Sequence, residues 1–262
     1  KDKQGNVIAS ATPDGNTHGS ICEINGQWYV FYHRHTGTDE YARQAMVAPI
    51  SVKVEEGKGG KVEISEGEYN SNGFALNGLD PFERHSAGIA CWYTGPKPAV
   101  HEWPYHRFYG SYVEASYGAE TNPATKEALT SSKNLDDPYD LRYNTNRVVN
   151  NTAGSIVGYK YFNFDAKRLA DKGNLMLVLR LIPEGIEGTI DIMKDRPWES
   201  QGGKKIGQLE LKSDMKKESW DMAAGIDKDG LVGLHAIYFV FKSDTKEKSL
   251  CTLEDLYFTF AE

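Results

Sequence analysis

Cysteine is scarce in this chain, and the scarcity excludes two ways of building a domain. Cys22, Cys91 and Cys251 are scattered through 262 residues, too few and too far apart for a disulfide framework or a zinc site. They are expected as buried thiols. Long apolar runs are missing as well. No stretch approaches the roughly 20 residues that a membrane helix requires, so no membrane span is expected. Basic charge is not in excess: 30 Lys and Arg are interspersed with 37 Asp and Glu, for a formal net charge of -7. That balance argues against a nucleic-acid partner and leaves neutral partners such as sugars open. The opening residues Lys1, Asp2, Lys3 and Gln4 do not form the charged-then-apolar pattern of a secretory leader, which is uninformative for a trimmed chain.

Aromatic residues, by contrast, are plentiful, with 15 tyrosines among them. A flat ring stacks on sugar C–H faces while its polar tip hydrogen-bonds, although aromatics also simply favour strands. Strand patterns recur at 27–34, 44–50, 89–93, 105–115, 156–164, 174–181, 188–193, 205–211, 234–241 and 253–260, separated by Gly, Pro, Asn and Asp. Helical patterns are confined to 126–131 and 166–172, the second with Asp165 as its cap. The chain therefore reads as all-β. Asn and Thr, with Ser, Asp and Pro, accumulate over 118–150 with little periodicity, which predicts a long irregular loop. In 234–241, Leu234, Ala236, Tyr238 and Val240 alternate with His235, Ile237, Phe239 and Phe241, so both faces of that strand are expected to be covered.

The sharpest local signal is Asn25-Gly26 between two aromatic and β-branched runs, which predicts a hairpin with a type I′ turn. His18, Tyr32, His33 and Arg34 would cluster near one end of it. Tyr32 and Arg34 are expected to share a face, and His33 and His35 to point to opposite faces around Arg34. In the following loop, Asp39 and Glu40 are either sugar contacts or ordinary turn residues. Arg43 is either a guanidinium donating to hydroxyls or to a carboxylate, or half of a surface salt bridge.

His18-Gly19-Ser20, Trp28-Tyr29, Tyr32-His33-Arg34 and Arg43-Gln44-Ala45-Met46 resemble the last part of a glycoside hydrolase family 43 domain. The resemblance implies the C-terminal blades of a five-bladed β-propeller over residues 1–108, with an inverting glycosidase site at the propeller axis. It places His18 near that axis, where an ion can sit beside it, and aims Arg43 into the subsite for the non-reducing sugar. Tyr32 and Arg34 join them as expected substrate contacts. An inverting site needs two carboxyl groups roughly 6.5–9.5 Å apart, and in the family the Asp, Asp and Glu set precedes the His-Gly-Ser motif. Here only Asp2 and Asp14 precede it, in contexts unlike the family's. No catalytic residue is assigned to this chain. It is expected to be the C-terminal portion of a larger enzyme, with a missing N-terminal propeller segment or partner chain. The alternative is a non-catalytic relative.

Residues 109–262 resemble a carbohydrate-binding module of family 6, a jelly-roll β-sandwich. The resemblance is carried by the run from Gly154 to Phe164, by Gly188-Thr189-Ile190-Asp191-Ile192 and Ile206-Gly207-Gln208-Leu209, by Trp220, and by the runs from Gly233 to Phe241 and Leu253 to Phe260. It implies sugar clefts and a structural calcium, for which Glu114 and Asp255 are the candidate ligands. The family's cleft at the loop end pairs two aromatics and adds an Asn before the final strand. Lys248-Ser249-Leu250-Cys251-Thr252-Leu253 has neither. Trp198 is then either the stacking candidate or a residue packed on the propeller, and Trp220 is expected in the core. The implied activity is that of an arabinofuranosidase or xylosidase on arabinose- or xylose-containing polysaccharide, in a secreted or periplasmic setting. A sugar-binding or purely structural protein is the competing expectation.

Overall fold

A computed structural model describes residues 18–38, 43–102, 105–115, 146–170 and 173–261. It is built almost wholly of strands, as the sequence predicts. β1 (Ser20–Ile24), β2 (Gln27–His35) and β3 (Arg43–Ile50) form an antiparallel three-stranded sheet. Asn25 and Gly26 take φ of 52° and 81°, the left-handed region that a two-residue I′ turn requires, and β1 meets β2 from Ile24 opposite Gln27 onward. A small hairpin of β4 (Val52–Val54) and β5 (Val62–Ile64) follows.

The chain then runs through β6 (His85–Ser86), a 3-10 turn over Ala87–Ile89, and β7 (Trp92–Thr94). β8 (Val100–Glu102) pairs with β9 (Tyr105–Arg107). The remaining elements are β10 (Tyr112–Ala115), β11 (Asn146–Val149), β12 (Ile156–Phe164), α1 (Ala166–Ala170), β13 (Leu175–Pro183), β14 (Gly188–Lys194), β15 (Lys204–Leu211), β16 (Trp220–Gly225), β17 (Gly233–Lys242) and β18 (Cys251–Phe260). Asp165 does cap α1: its Oδ1 accepts from the backbone N–H groups of Lys167 and Arg168. The loop expected over 118–150 ends in β11 rather than continuing to 150. The rest of that stretch, with the helix expected at 126–131, lies outside the described residues.

Two sheets make the sandwich, in the orders β15-β14-β17-β12-β7 and β10-β11-β18-β13-β16. Between them Ile237, Phe239 and Phe241 of β17 meet Leu177, Leu179 and Leu181 of β13 and Leu256 and Phe258 of β18, all essentially buried. The period-2 alternation of β17 sends Ala236 and Tyr238 the other way, where they join Ile156 and Met193 in a second apolar cluster under Trp92, Tyr161 and Trp198. The expectation of two covered faces on this strand therefore holds over its centre, while Leu234 stays exposed.

Residues expected on the propeller side complete this sandwich. β7 is the edge strand beside β12, and β6 pairs with β18. Ala87, Ala90 and Tyr93 enter the core, and the Tyr159 hydroxyl donates to the Ala87 carbonyl. A chain starting at residue 109 would expose these contacts and leave β12 an open edge. Burial of Tyr93 and its neighbours contributes about 3 kcal/mol or more. Such a truncation is expected to melt well below the full chain, and an equal melting temperature would refute this.

Candidate functional site

β2 is the strand that sorts the candidate residues. His33 and His35 are two residues apart and so share a face, contrary to the expectation that they oppose each other: their ring centroids lie 6.2 Å apart. Cross-strand pairing puts Arg43 opposite His35 and Ala45 opposite His33, and His18 closes on His33 with centroids 4.6 Å apart. The row continues through buried His35 to His106, 4.6 Å centroid to centroid, and to His101. His18, His33 and Arg43 thus line one open cleft of about 500 Å³ beside β1. Arg43 forms no ion pair among the described residues, and its buried Nε has no hydrogen-bond partner. A salt bridge therefore does not explain it.

Tyr32 and Arg34 do share a face, the one opposite His33, and the burial of Arg34 there corrects its expected role. Arg34 is 2% exposed. Its guanidinium donates to Gln44 Oε1 at 2.8 and 2.7 Å, to the Gly88 carbonyl at 2.8 Å and to the Ala90 carbonyl. It clamps the blade onto the turn that enters the sandwich and has no route to a sugar. Tyr32 borders the cleft but packs its ring edge-on against Tyr69, 5.0 Å away, with its hydroxyl buried. Burial and the neighbouring Tyr69 hold its phenol well above the usual value. Asp39 and Glu40 lie outside the described residues.

The two carboxylates expected at a calcium ion do not fit one. Glu114 faces Arg147 at 3.5 Å across β10 and β11, while Asp255 Oδ2 takes Arg84 at 3.3 Å. Among the described residues no group of three or more His, Cys, Asp or Glu side chains is arranged to hold a metal ion, at His18 or here. A hard cation at Asp255 would also sit among the charges of Arg84 and Arg180. Asp255 is buried, and desolvation raises its pKa with the two arginines offsetting only in part. A folded pKa above the unfolded one gives stability that is complete below the unfolded pKa and lost as pH rises through the folded value. Asp255→Asn should flatten that part of the pH dependence of urea unfolding without altering any effect of calcium or chelator; a calcium-dependent melting temperature abolished by this change would overturn the argument.

Trp198 stands in the loop after β14, half-buried, on the second apolar cluster. With Trp92, Tyr238, Lys160, Arg196 and its loop neighbours it lines a narrow cleft of about 320 Å³. Trp220 is a correction: it lies on the outer strand β16, 39% exposed, its indole N–H donating to the Lys216 carbonyl. Cys22 is likewise exposed, whereas Cys91 and Cys251 are buried as expected. A larger cleft, about 980 Å³, lies among charged residues near Lys212 and Lys242 and offers no aromatic ring.

No protein-family profile matches the chain. A xylosidase/arabinosidase of Thermoclostridium stercorarium is 43% identical over 77 residues, 29% of this chain and 15% of that protein. A glycoside hydrolase family 43 arabinoxylan arabinofuranohydrolase from Bacillus subtilis, solved with cellotetraose, superposes with a TM-score of 0.52 and 18% identity over 94% of this chain and 41% of its own. The fold of this chain is thus shared with part of that family 43 glycoside hydrolase. A β-1,3-glucan-binding family 6 module from Bacillus halodurans is also similar, at 15% identity over 69% of this chain and 98% of that chain, with a TM-score of 0.44. The chain spans well under two thirds of the two enzymes it resembles. Among the described residues no helix is long and apolar enough to cross a membrane.

Proposed function

We propose that this chain is the C-terminal portion of an inverting glycosidase acting on arabinose- or xylose-containing polysaccharide, with its catalytic carboxylates supplied by upstream propeller sequence. Arg43 carries the proposal: a guanidinium without an ion-pair partner among the described residues, lining an open cleft beside His18 and His33, could donate paired hydrogen bonds to vicinal hydroxyls or to a carboxylate brought by neighbouring blades. β1 supports the same reading. All five of its residues are exposed, Ile21 and Ile24 among them, and its outer side has no paired strand among the described residues, an edge suited to a further strand. The boundary between blade and sandwich then falls before β6 rather than at residue 108. A secreted or periplasmic setting fits a polysaccharide substrate.

Binding tests the carbohydrate part directly. The intact chain, alone and with the upstream polypeptide, should be retained by arabinoxylan in affinity electrophoresis and not by a polysaccharide lacking pentoses. Absence of retention in both forms would refute it. The second reading, a sugar-binding protein without catalysis, is favoured by the aromatic cleft at Trp198 and predicts retention without hydrolysis.

A further inference from the structure

The narrow cleft on the outer face of the sandwich carries charge that a site for neutral sugar alone does not need. An irregularity in β12 between Tyr159 and Phe162 turns Lys160 and Tyr161 toward this face. Lys160 Nζ pairs with Glu68 at 2.9 Å, and the Tyr161 hydroxyl donates to both Glu68 oxygens. Desolvation opposes ionisation of Glu68, but the bonds from Lys160 and Tyr161 hold its pKa below the usual value. Glu68 is therefore charged at neutral pH and spends its charge on Lys160. Arg196 lies within electrostatic reach of the same carboxylate but forms no ion pair with it: it is exposed, and the hydrogen bond its guanidinium makes is to the Asp195 carbonyl, at 3.4 Å. The cleft thus combines indole surface from Trp92 and Trp198 with two cations, Lys160 and Arg196, that share the single carboxylate of Glu68, and with no carboxylate in its own lining.

We propose that this cleft selects a sugar bearing a carboxylate, a uronic acid residue on the polysaccharide, stacked on Trp198 with its carboxylate held by Arg196. The inference rests on the sandwich being sugar-facing, as proposed above. A guanidinium matches a carboxylate in a two-point contact that an ammonium or hydroxyl cannot reproduce, and the indole supplies binding that does not depend on charge.

Isothermal titration of the full chain with a xylo-oligosaccharide, and with the same oligosaccharide carrying one glucuronic acid branch, tests it. The acidic ligand should bind about tenfold tighter at low salt, with the advantage shrinking as ionic strength rises. Arg196→Gln, at an exposed position, should erase the advantage while leaving the neutral ligand within about twofold. Trp198→Ala should weaken both ligands. Equal affinity for the two ligands, an acidic preference that survives Arg196→Gln, or affinities unchanged by Trp198→Ala overturns the inference and leaves the carbohydrate reading standing. Failure of both ligands to bind the native chain overturns both.

Discussion

Arg34→Ala is expected to destabilise the chain by about 3–5 kcal/mol, measured as a lower urea midpoint, without changing sugar affinity under conditions where the variant remains folded. The size follows from what the side chain leaves behind. Its removal strips buried donors from the Ala90 and Gly88 carbonyls and from Gln44, and opens space beside Tyr93, over whose ring the guanidinium lies 5.3 Å from the centroid. Gln44 Nε2 still reaches the Gly88 carbonyl at 3.1 Å, so the loss falls chiefly on Ala90. Arg34→Lys should recover only part of the stability, since an ammonium cannot span Gln44 and both carbonyls. A variant as stable as the native chain but poorer in sugar binding would restore Arg34 to the site and break the account of the clamp.

Arg43→Ala carries the second large effect, and it should appear in catalysis rather than in stability. In the enzyme assembled with its upstream polypeptide, kcat/KM is expected to fall about 10- to 100-fold, the range for loss of charge-assisted hydrogen bonds. The melting temperature should stay close to that of the native chain because Arg43 supports no ion pair among the described residues. Unchanged kinetics would remove Arg43 from the substrate site.

The contrast between these two arginines shows what sequence could and could not reveal. Strands were legible because alternation and turn chemistry are local: Asn25-Gly26 and the apolar alternation of 234–241 each announce their own geometry. Faces were less legible, because they depend on parity and on what packs against the strand. Arg34 is buried by carbonyls 54 and 56 residues away, and Asp255 meets Arg84 across 171 residues. Neither partner leaves a mark near the residue it neutralises. Trp220 carries a strand signal but no sign that its strand lies at the rim of the sheet, where an indole can stay half in solvent. The cleft at Trp198 was visible only as a lone tryptophan. Its second ring and its charges come from β7, the irregular part of β12 and the loop itself, segments brought together by sheet order alone. The same holds for the edge strand that completes the sandwich, since three residues at 92–94 pair with β12 more than sixty positions later.

The measurement that bears most directly on the account is hydrolysis of nitrophenyl arabinofuranoside and nitrophenyl xyloside by this chain, with and without the upstream polypeptide supplied as a separate partner. The account predicts no turnover by the chain alone, turnover of at least one substrate once the partner is present, and its loss with Arg43→Ala. Absence of turnover in a folded, stoichiometric complex would contradict the glycosidase reading and leave a sugar-binding or structural protein.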